Sequence, residues 1–469
     1  MPITRRHVLA TSAQLAGYAG LHRLGLAQAP TTAAPFVLAP APQLDFAPVA
    51  LPATHAAKAL HAQIGAAAYT ELDHHLRTVN ADLAVNGLRR LPNIEGALLT
   101  GYPKNEFYDW DLYFENLYLS YYGVAPFCFT NLKEFLNREQ PDGYVNRSLI
   151  NRRDRQQFKP FLAQLAILGS RQAGNSFEWL RGNYYDRLAT YLVKWFSYDG
   201  DHNGLPVWNS ADAAGTDNQW SRAGALSSFE IEGVDLASYL VRELRAMAVI
   251  ATELSLKDDA RTYAQHADQL AQLINATFWD EQQGMYFDRN EKTGKLVNVK
   301  SATNFMPLFA GAATPTRAKR MIHEHLLNPA EFWLPYPVAG YAKTEPDYYQ
   351  GAHFDHGTHK ECNWRGPTWV PTNYMIFQGL RRYGYHDVAR DLATRLLDMA
   401  VMKNSVLREY YNAETGEGLG QTRFWGFTAL YYGMLLELDA NYDASSLDKP
   451  ILPIITRELG VNFPDVSRA

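Results

Sequence analysis

From about Thr54 to Asp439 apolar residues recur at helical spacing, and no matching run of strand-like alternation interrupts them. Ala56 to Leu83 spaces Leu60, Ile64, Leu72, Leu76 and Leu83 in this way. Asp235 to Leu254 gathers Leu236, Leu240, Leu244, Met247 and Leu254 on one face, and Asp259 to Phe278 repeats the pattern with Leu270, Leu273, Ile274 and Phe278. Arg317 to Leu327, Thr372 to Tyr383, His386 to Met402 and Phe427 to Leu438 continue the series. Between the helices lie loops dense in Trp, Tyr, Asp, Asn and Gly, such as Gly101 to Asp111 and Asn363 to Asn373. The pattern predicts an all-α fold, a toroid of long helices whose aromatic-rich loops form a site at one rim. An α-solenoid is the competing arrangement, but no fixed repeat period supports it.

Composition narrows the partners. Of 469 residues 47% are apolar and 20% charged, which excludes a mainly disordered chain. A net charge of −5 with no basic stripe excludes nucleic acid as a partner. No apolar run reaches the ~18 residues that span a bilayer, so no membrane insertion is expected. Cys128 and Cys362 make neither a disulfide framework nor a zinc site. His353, His356 and His359 with Asp355 have near metal-ligand spacing, but in a Gly-rich loop rather than on one helix face. Asp199-Gly200-Asp201-His202-Asn203-Gly204 imitates the start of a calcium loop, yet its twelfth position is Ser210, so it reads as a turn. No metal is expected.

The ends read as appendages. Thr4-Arg5-Arg6-His7, a soft Ala-rich stretch to Leu26 and the small-x-small Ala27-Gln28-Ala29 resemble a twin-arginine export signal over residues 1–29, which predicts a periplasmic protein. Residues 30–53 are rich in Ala and Pro and read as a tether. One domain over 54–447 follows, then a surface extension, 448–469, with Pro450, Pro453 and Pro464.

Three constellations carry chemistry. In Glu106-Phe107-Tyr108-Asp109-Trp110-Asp111-Leu112-Tyr113, acids and aromatics are costly to bury together unless a polar ligand satisfies the carboxylates. A sugar does so, since its CH face stacks on rings while its hydroxyls donate to acids. A helix start capped by Asp109 or Asp111 fits the same residues equally well. In Asn209 to Arg222, Asp212 and Asp217 share a Gly- and Ala-bearing loop. A general acid needs a carboxyl beside a semi-dry wall, which Trp208 or Trp220 would supply; a surface turn with two N-caps is the plainer alternative. In Leu407 to Gln421, Glu409 is flanked by tyrosines, and Gly416, Gly418 and Gly420 make a loop able to approach a ligand closely. Glu414 and Glu417 read as solvated charges. Between these, Asn363-Trp364-Arg365-Gly366-Pro367-Thr368-Trp369-Val370-Pro371 would clamp several hydroxyls, and Pro371 suits the first turn of the next helix.

The order of these motifs resembles the α-glycosidases of glycoside hydrolase family 63, most closely their compact mannosylglycerate hydrolase-like branch. Phe278-Trp279-Asp280 through Asp288 and Phe332-Trp333-Leu334-Pro335-Tyr336-Pro337 agree, and the likeness covers about Gly101 to Leu438. Trehalases share the implied fold. However, their Pro-Gly-Gly-Arg-Phe is replaced here by Gly101-Tyr102-Pro103-Lys104-Asn105, and their Gln-Trp-Asp-x-Pro by Asn363-Trp364-Arg365-Gly366-Pro367. The resemblance implies an (α/α)6 barrel, the six-hairpin toroid, and hydrolysis of an α-linked glucosyl or mannosyl unit with inversion, without a cofactor. By position it implies Asp217 as general acid and Glu409 as general base. Tyr108, Trp110, Asp111, Gln140, Trp364, Arg365, Trp369 and Trp425 become sugar contacts. An inverting pair stands about 6.5–9.5 Å apart to admit the attacking water. Ala214 departs from the family's frequent Glu or Ser at that place and bears on specificity. A catalytically silent sugar-binding protein would use the same aromatic cup but needs no opposed carboxyls. A helical scaffold would instead present an exposed apolar groove.

Overall fold

Helices alternate along the chain between a shell that mostly keeps a solvent face and an inner set buried on nearly every side. The computed structural model describes residues 56–455 apart from 93, 95, 103–104, 125, 151–155, 224–229, 352–361 and 452. The expected signal and tether and the His353, His356, His359 and Asp355 group lie outside the described residues. The outer helices are α1 (Ala56–Asp82), α3 (Pro126–Asn137), α5 (Asn183–Phe196), α7 (Lys257–Thr277), α9 (Pro315–Met321) and α11 (His386–Val401). Their inner partners are α2 (Asp109–Ser120), α4 (Leu162–Gln172), α6 (Val234–Glu253), α8 (Met306–Ala310), α10 (Val370–Arg382) and α12 (Met434–Asp439), the last led in by a 3-10 turn at Phe427–Tyr432. Packing runs α2 to α4, α6, α8, α10 and the Phe427–Tyr432 turn, which returns to α2 and closes the ring. The expected (α/α)6 barrel is the fold.

The aromatic content has its place on the barrel axis. Trp110, Tyr113 and Phe114 of α2 meet Phe161 before α4, Tyr239 of α6 and Tyr374 of α10, with ring centroids 5.0–6.5 Å apart. Rings contributed from around the circle thus plug the barrel, and the long connections build above the plug. Helices α2 to α5 do not figure in the expected series. The reason is clearest in α2, whose residues are all buried, so that no polar stripe marks its period.

Strands are confined to the connections. The longest pair is the hairpin Arg408–Tyr411 with Gly418–Thr422, and a small antiparallel sheet orders Val207–Trp208, Ile231–Glu232, Asp288–Asn290 and Leu296–Val297. A buried ion triad anchors that sheet. Arg222 reaches Asp235 of α6 at 2.6 Å and Asp288 at 2.7 Å, with all three side chains at most 1% exposed. Arg222 also donates to Thr216 Oγ1 at 3.2 Å, which holds the loop leading to Asp217. Arg222→Met would strand two buried carboxylates, and breaking such a pair typically costs ~3–5 kcal/mol. Urea unfolding is expected to record a loss of that order. Of the expected extension only the beginning is described, and there Ile451, Ile454 and Ile455 are buried, with Ile455 N donating to Tyr121 O at 3.0 Å. Apolar residues between its prolines draw it onto α2.

Candidate active site

Each candidate carboxylate sits on a different connection. Asp111 is in the first turn of α2, which starts at Asp109 without a side-chain cap. Asp109 instead takes both the Lys159 ammonium, at 2.9 and 3.0 Å, and the Lys159 N–H, at 3.1 Å. Asp217 is half-buried in the loop between the short helices Ala211–Ala214 and Trp220–Ala223. Ser210 caps the first of these by accepting from Ala213 N at 3.0 Å, and Gly215 ends it at φ +78°. A Cβ on Gly215 would stand 2.6 Å from Lys159 Cε and 2.9 Å from Trp110 Cζ2, so only glycine brings this loop so close to α2.

Glu409 is half-buried on the hairpin, its Oε2 accepting from Gln421 N at 3.0 Å. Of the three glycines, Gly420 makes its close approach to this side chain, whereas Gly416 lies against Tyr336 and Gly418 against Arg408. At Gly420, φ +67°, a Cβ would stand 2.7 Å from Glu409 Oε2. Displacing a reacting group by ~1 Å costs on the order of 10²-fold in rate. Gly420→Ala is therefore expected to lower kcat by roughly that factor while circular dichroism stays unchanged.

The connections are sewn together beneath the carboxylates. Gln219 Nε2 donates to Trp364 O at 2.7 Å, Trp364 N to Asn218 Oδ1 at 2.8 Å, and Asn218 Nδ2 to Asn363 Oδ1 at 3.1 Å. Cys362 bridges further, its thiol donating to Asp217 Oδ2 at 3.4 Å.

Electrostatics brings the three acids to one place. Burial, then Asp109, pushes the Asp111 carboxyl up to about 8; Lys159 and Arg147 oppose the rise and Glu409 adds to it. Burial followed by Asp111 and Glu409 raises the Tyr102 hydroxyl, and burial followed by Asp217 and Glu409 raises the Cys362 thiol. Burial works against the Arg147 charge, but Asp109, Asp212, Asp217 and Asp111 outweigh it and raise its pKa. A carboxyl held near 8 is largely protonated at neutral pH, so Asp111 can donate as well as accept a hydrogen bond.

The aromatic residues divide by role. Tyr108 meets Tyr102 edge-on at 5.5 Å, with the Arg147 guanidinium 5.4 Å from its ring. Trp110 and Trp364 lie 5.8 Å apart and floor the cup. Trp369 is flanked by stacked rings, Trp364 at 3.7 Å and Tyr410 at 4.4 Å, so it backs Trp364 and has no face for a sugar. Trp425 also departs from expectation. Its Nε1 donates to Thr100 O at 2.8 Å, and it lines a cavity of about 60 Å³ with His74, His75, Arg423 and Tyr432 on the α1 side. Neighbours in extended chain face opposite ways, and it is Phe424 that meets Tyr102, at 5.0 Å. Arg365 is half-buried at the lip, 5.7 Å from the Tyr349 ring. Gln140 is not brought to the cluster: it is exposed in the turn to Tyr144, bonded there through its main chain. Trp208 does not wall the acid loop either, since it is buried with Nε1 on Asp235 at 2.8 Å.

Three features escaped the sequence reading. Arg147, whose Nη1 donates to Asp212 O, carries positive charge into the cup; Gln156 donates to Asp212 Oδ2; Tyr102 faces two of the acids. For Arg147 and Gln156 the only signal was the polar run from Asn146 to Gln157, which no carboxylate motif marked, whereas Tyr102 lay in the Gly101 to Asp111 loop without being singled out. The calcium-like turn also gains a partner from afar. Asp199 and Asp201 are joined by Glu291, with one ligand oxygen from each within 4.8 Å of the others. These acids accept main-chain N–H groups of the turn, Asp199 from Asn203 and Gly204 and Glu291 from Gly200 and Asp201. Glu414, expected to be solvated, accepts from Tyr348 Oη at 2.8 Å.

Comparison with known proteins agrees with this architecture. The model of the mannosylglycerate hydrolase MGH1-like glycoside hydrolase domain matches residues 108–426. Mannosylglycerate hydrolase of Thermus thermophilus is 33% identical over 155 residues, 32% of this chain and 33% of that one. Mannosylglycerate hydrolase of Rubrobacter radiotolerans is 28% identical over 213 residues, 45% of each chain. The chain thus spans between a third and a half of the length of these curated relatives. The crystal structure of a GH63 mannosylglycerate hydrolase from Thermus thermophilus in complex with glucose superimposes with a TM-score of 0.59 at 20% identity, covering 76% of this chain and 99% of that one. It shares the fold.

Proposed function

The chain belongs to the mannosylglycerate hydrolase MGH1-like glycoside hydrolase family, and from that premise we propose an inverting glycosidase that releases an α-linked glucosyl or mannosyl unit from a small glycoside. Asp217 gives its proton to the glycosidic oxygen as the C–O bond breaks. Glu409 takes a proton from a water that attacks the anomeric carbon from the opposite face. Asp111, largely neutral, meets the hydroxyls of the bound sugar over Trp110 and Trp364. The observation that carries this reading is that the connections bearing Asp217 and Glu409 converge: Trp364 N donates to Asn218 Oδ1 at 2.8 Å, and Trp369 stacks with both Trp364 and Tyr410, at 3.7 and 4.4 Å. A binding protein needs no such pair.

Incubation with α-glucosides, α-mannosides, trehalose, and glucosyl- and mannosylglycerate, followed by proton NMR, tests it. Release of β-anomer from one of them is expected; α-anomer would overturn the inverting assignment, and binding without turnover would favour the silent sugar-binding reading. Export to the periplasm through residues 1–29 is part of the same proposal. Replacing Arg5 and Arg6 by Lys is expected to leave the protein in the cytoplasmic fraction, and unchanged export would discard the twin-arginine reading.

A further inference from the structure

The thiol between the two proposed carboxylates has no part in the reaction described so far. Cys362 lies in a chain of two hydrogen bonds: Trp364 Nε1 donates to Cys362 Sγ at 3.2 Å, and the thiol donates onward to Asp217 Oδ2 at 3.4 Å. The tryptophan end of the chain is fixed. Trp364 is stacked on Trp369 at 3.7 Å with planes 8° apart, and its N–H and C=O are bonded to Asn218 and Gln219 of the Asp217 loop. The only other described cysteine, Cys128, is remote in character, buried with its thiol donating to Leu165 O at 3.3 Å.

We propose that Cys362 is a positioning residue for the acid step, its S–H fixing Oδ2 of Asp217 and with it the orientation of the carboxyl that gives the proton. This rests on the assignment of Asp217 as general acid. An acid that must hold its proton at working pH is poorly served by a strong donor, because hydrogen bonds to the charged form stabilise the carboxylate. A thiol is a weak donor and orients the carboxyl at little cost to its basicity. Burial and the neighbouring acids keep that thiol in its S–H form. Among the described residues, the titratable and charged groups around this pair are Arg147, on the Asp217 side, and Glu409 and Tyr102, on the Cys362 side. In the step itself the Asp217 proton passes to the glycosidic oxygen, which keeps the electron pair of the breaking C–O bond. Water supplies the new bond to the anomeric carbon and its proton goes to Glu409.

The test compares Cys362→Ala and Cys362→Ser with wild type on two substrates of the same sugar, an alkyl α-glycoside and an α-glycosyl fluoride, whose leaving group needs no proton. Cys362→Ala is expected to lower kcat on the alkyl glycoside about tenfold with KM unchanged, and to leave the fluoride rate nearly intact. Cys362→Ser is expected to recover much of that rate but to move the alkaline limb of the kcat/KM profile down by roughly one pH unit. Equal losses on both substrates, or an unmoved limb in the Ser variant, would overturn the proposal and leave Cys362 a packing residue. Asp217→Asn on the same pair separates this from failure of the acid assignment. If Asp217→Asn also loses both substrates equally, that assignment falls; if it spares the fluoride while Cys362→Ala does not, only the role of Cys362 falls. A readout free of turnover is the infrared S–H stretch of Cys362, isolated by subtracting the Cys362→Ala spectrum. It should shift in Asp217→Asn, and an unchanged band would contradict the bond.

Discussion

Asp217→Asn and Glu409→Gln are each expected to lower kcat by ~10²–10⁴-fold, the usual contribution of a general acid or base, with melting temperature and circular dichroism unchanged. The two losses should differ in kind. A substrate with an activated leaving group restores Asp217→Asn, because departure no longer needs a proton, but does nothing for Glu409→Gln, whose water still lacks a base. The geometry makes both changes mild for the fold. Each carboxylate is half-buried on a connection, Asp217 bonded to Cys362 and Glu409 to Gln421, and neither belongs to the Arg222 triad. Retention of more than a tenth of wild-type turnover by either variant would remove that residue from its role.

Asp111→Asn is expected to cost activity on the order of 10²-fold, as loss of a preorganised polar contact does, while stabilising the protein at alkaline pH. In the folded chain burial and Asp109 hold this carboxyl near 8, whereas in the unfolded chain it returns to 3.8. Between those values unfolding releases a proton, so the stability this group permits is fully present below about pH 4 and declines as pH rises towards 8. An amide does not ionise and removes the decline. The melting temperature of Asp111→Asn should therefore gain on wild type steadily from pH 5 to pH 8, and a pH-independent difference would show that Asp111 is ionised throughout. Rate falling while stability rises is the trade expected where a buried carboxyl is held in an unfavourable place for function.

Periodicity made helices of both layers legible, the outer α1, α7 and α11 and the inner α6 and α10, but not the outer α3 and α5. Lys257–Thr277 and His386–Val401 lie within two residues of the expected helices because half of each faces water and the stripe survives. The inner α2 defeats the same reading, since Asp109, Asp111 and Glu115 are buried along with its apolar residues and no face contrasts with another. Within the site, Asp111, Asp217, Glu409 and Trp364 were marked by residue type and motif order, and the structure gathers them. Trp369 and Trp425 carried the same motif signal, yet a ring shows in sequence only that it is aromatic, not which of its faces are taken. Arg147 was invisible for another reason: its meaning comes from Asp109, Asp111, Asp212 and Asp217, all distant along the chain and close only once it is folded back. Glu291 completes the Asp199–Asp201 turn in the same way, from 90 residues downstream.

Closure of the inner ring has a consequence for how the protein is made. The turn at Phe427–Tyr432 packs on α2, so the last segment of the barrel to leave the ribosome meets one of the first. Glu409 waits for the hairpin strand Gly418–Thr422, and Gly101 N is held by Glu115 against Gly426. A nascent chain stopped before Phe427 would carry Asp111, Asp217 and Glu409 but no closed ring, and its aromatic plug would lie open on one side. Such long-range closure slows folding and exposes apolar surface in the interim. Competence therefore arrives in a single late event, and until then the unfinished barrel is a natural client for chaperones.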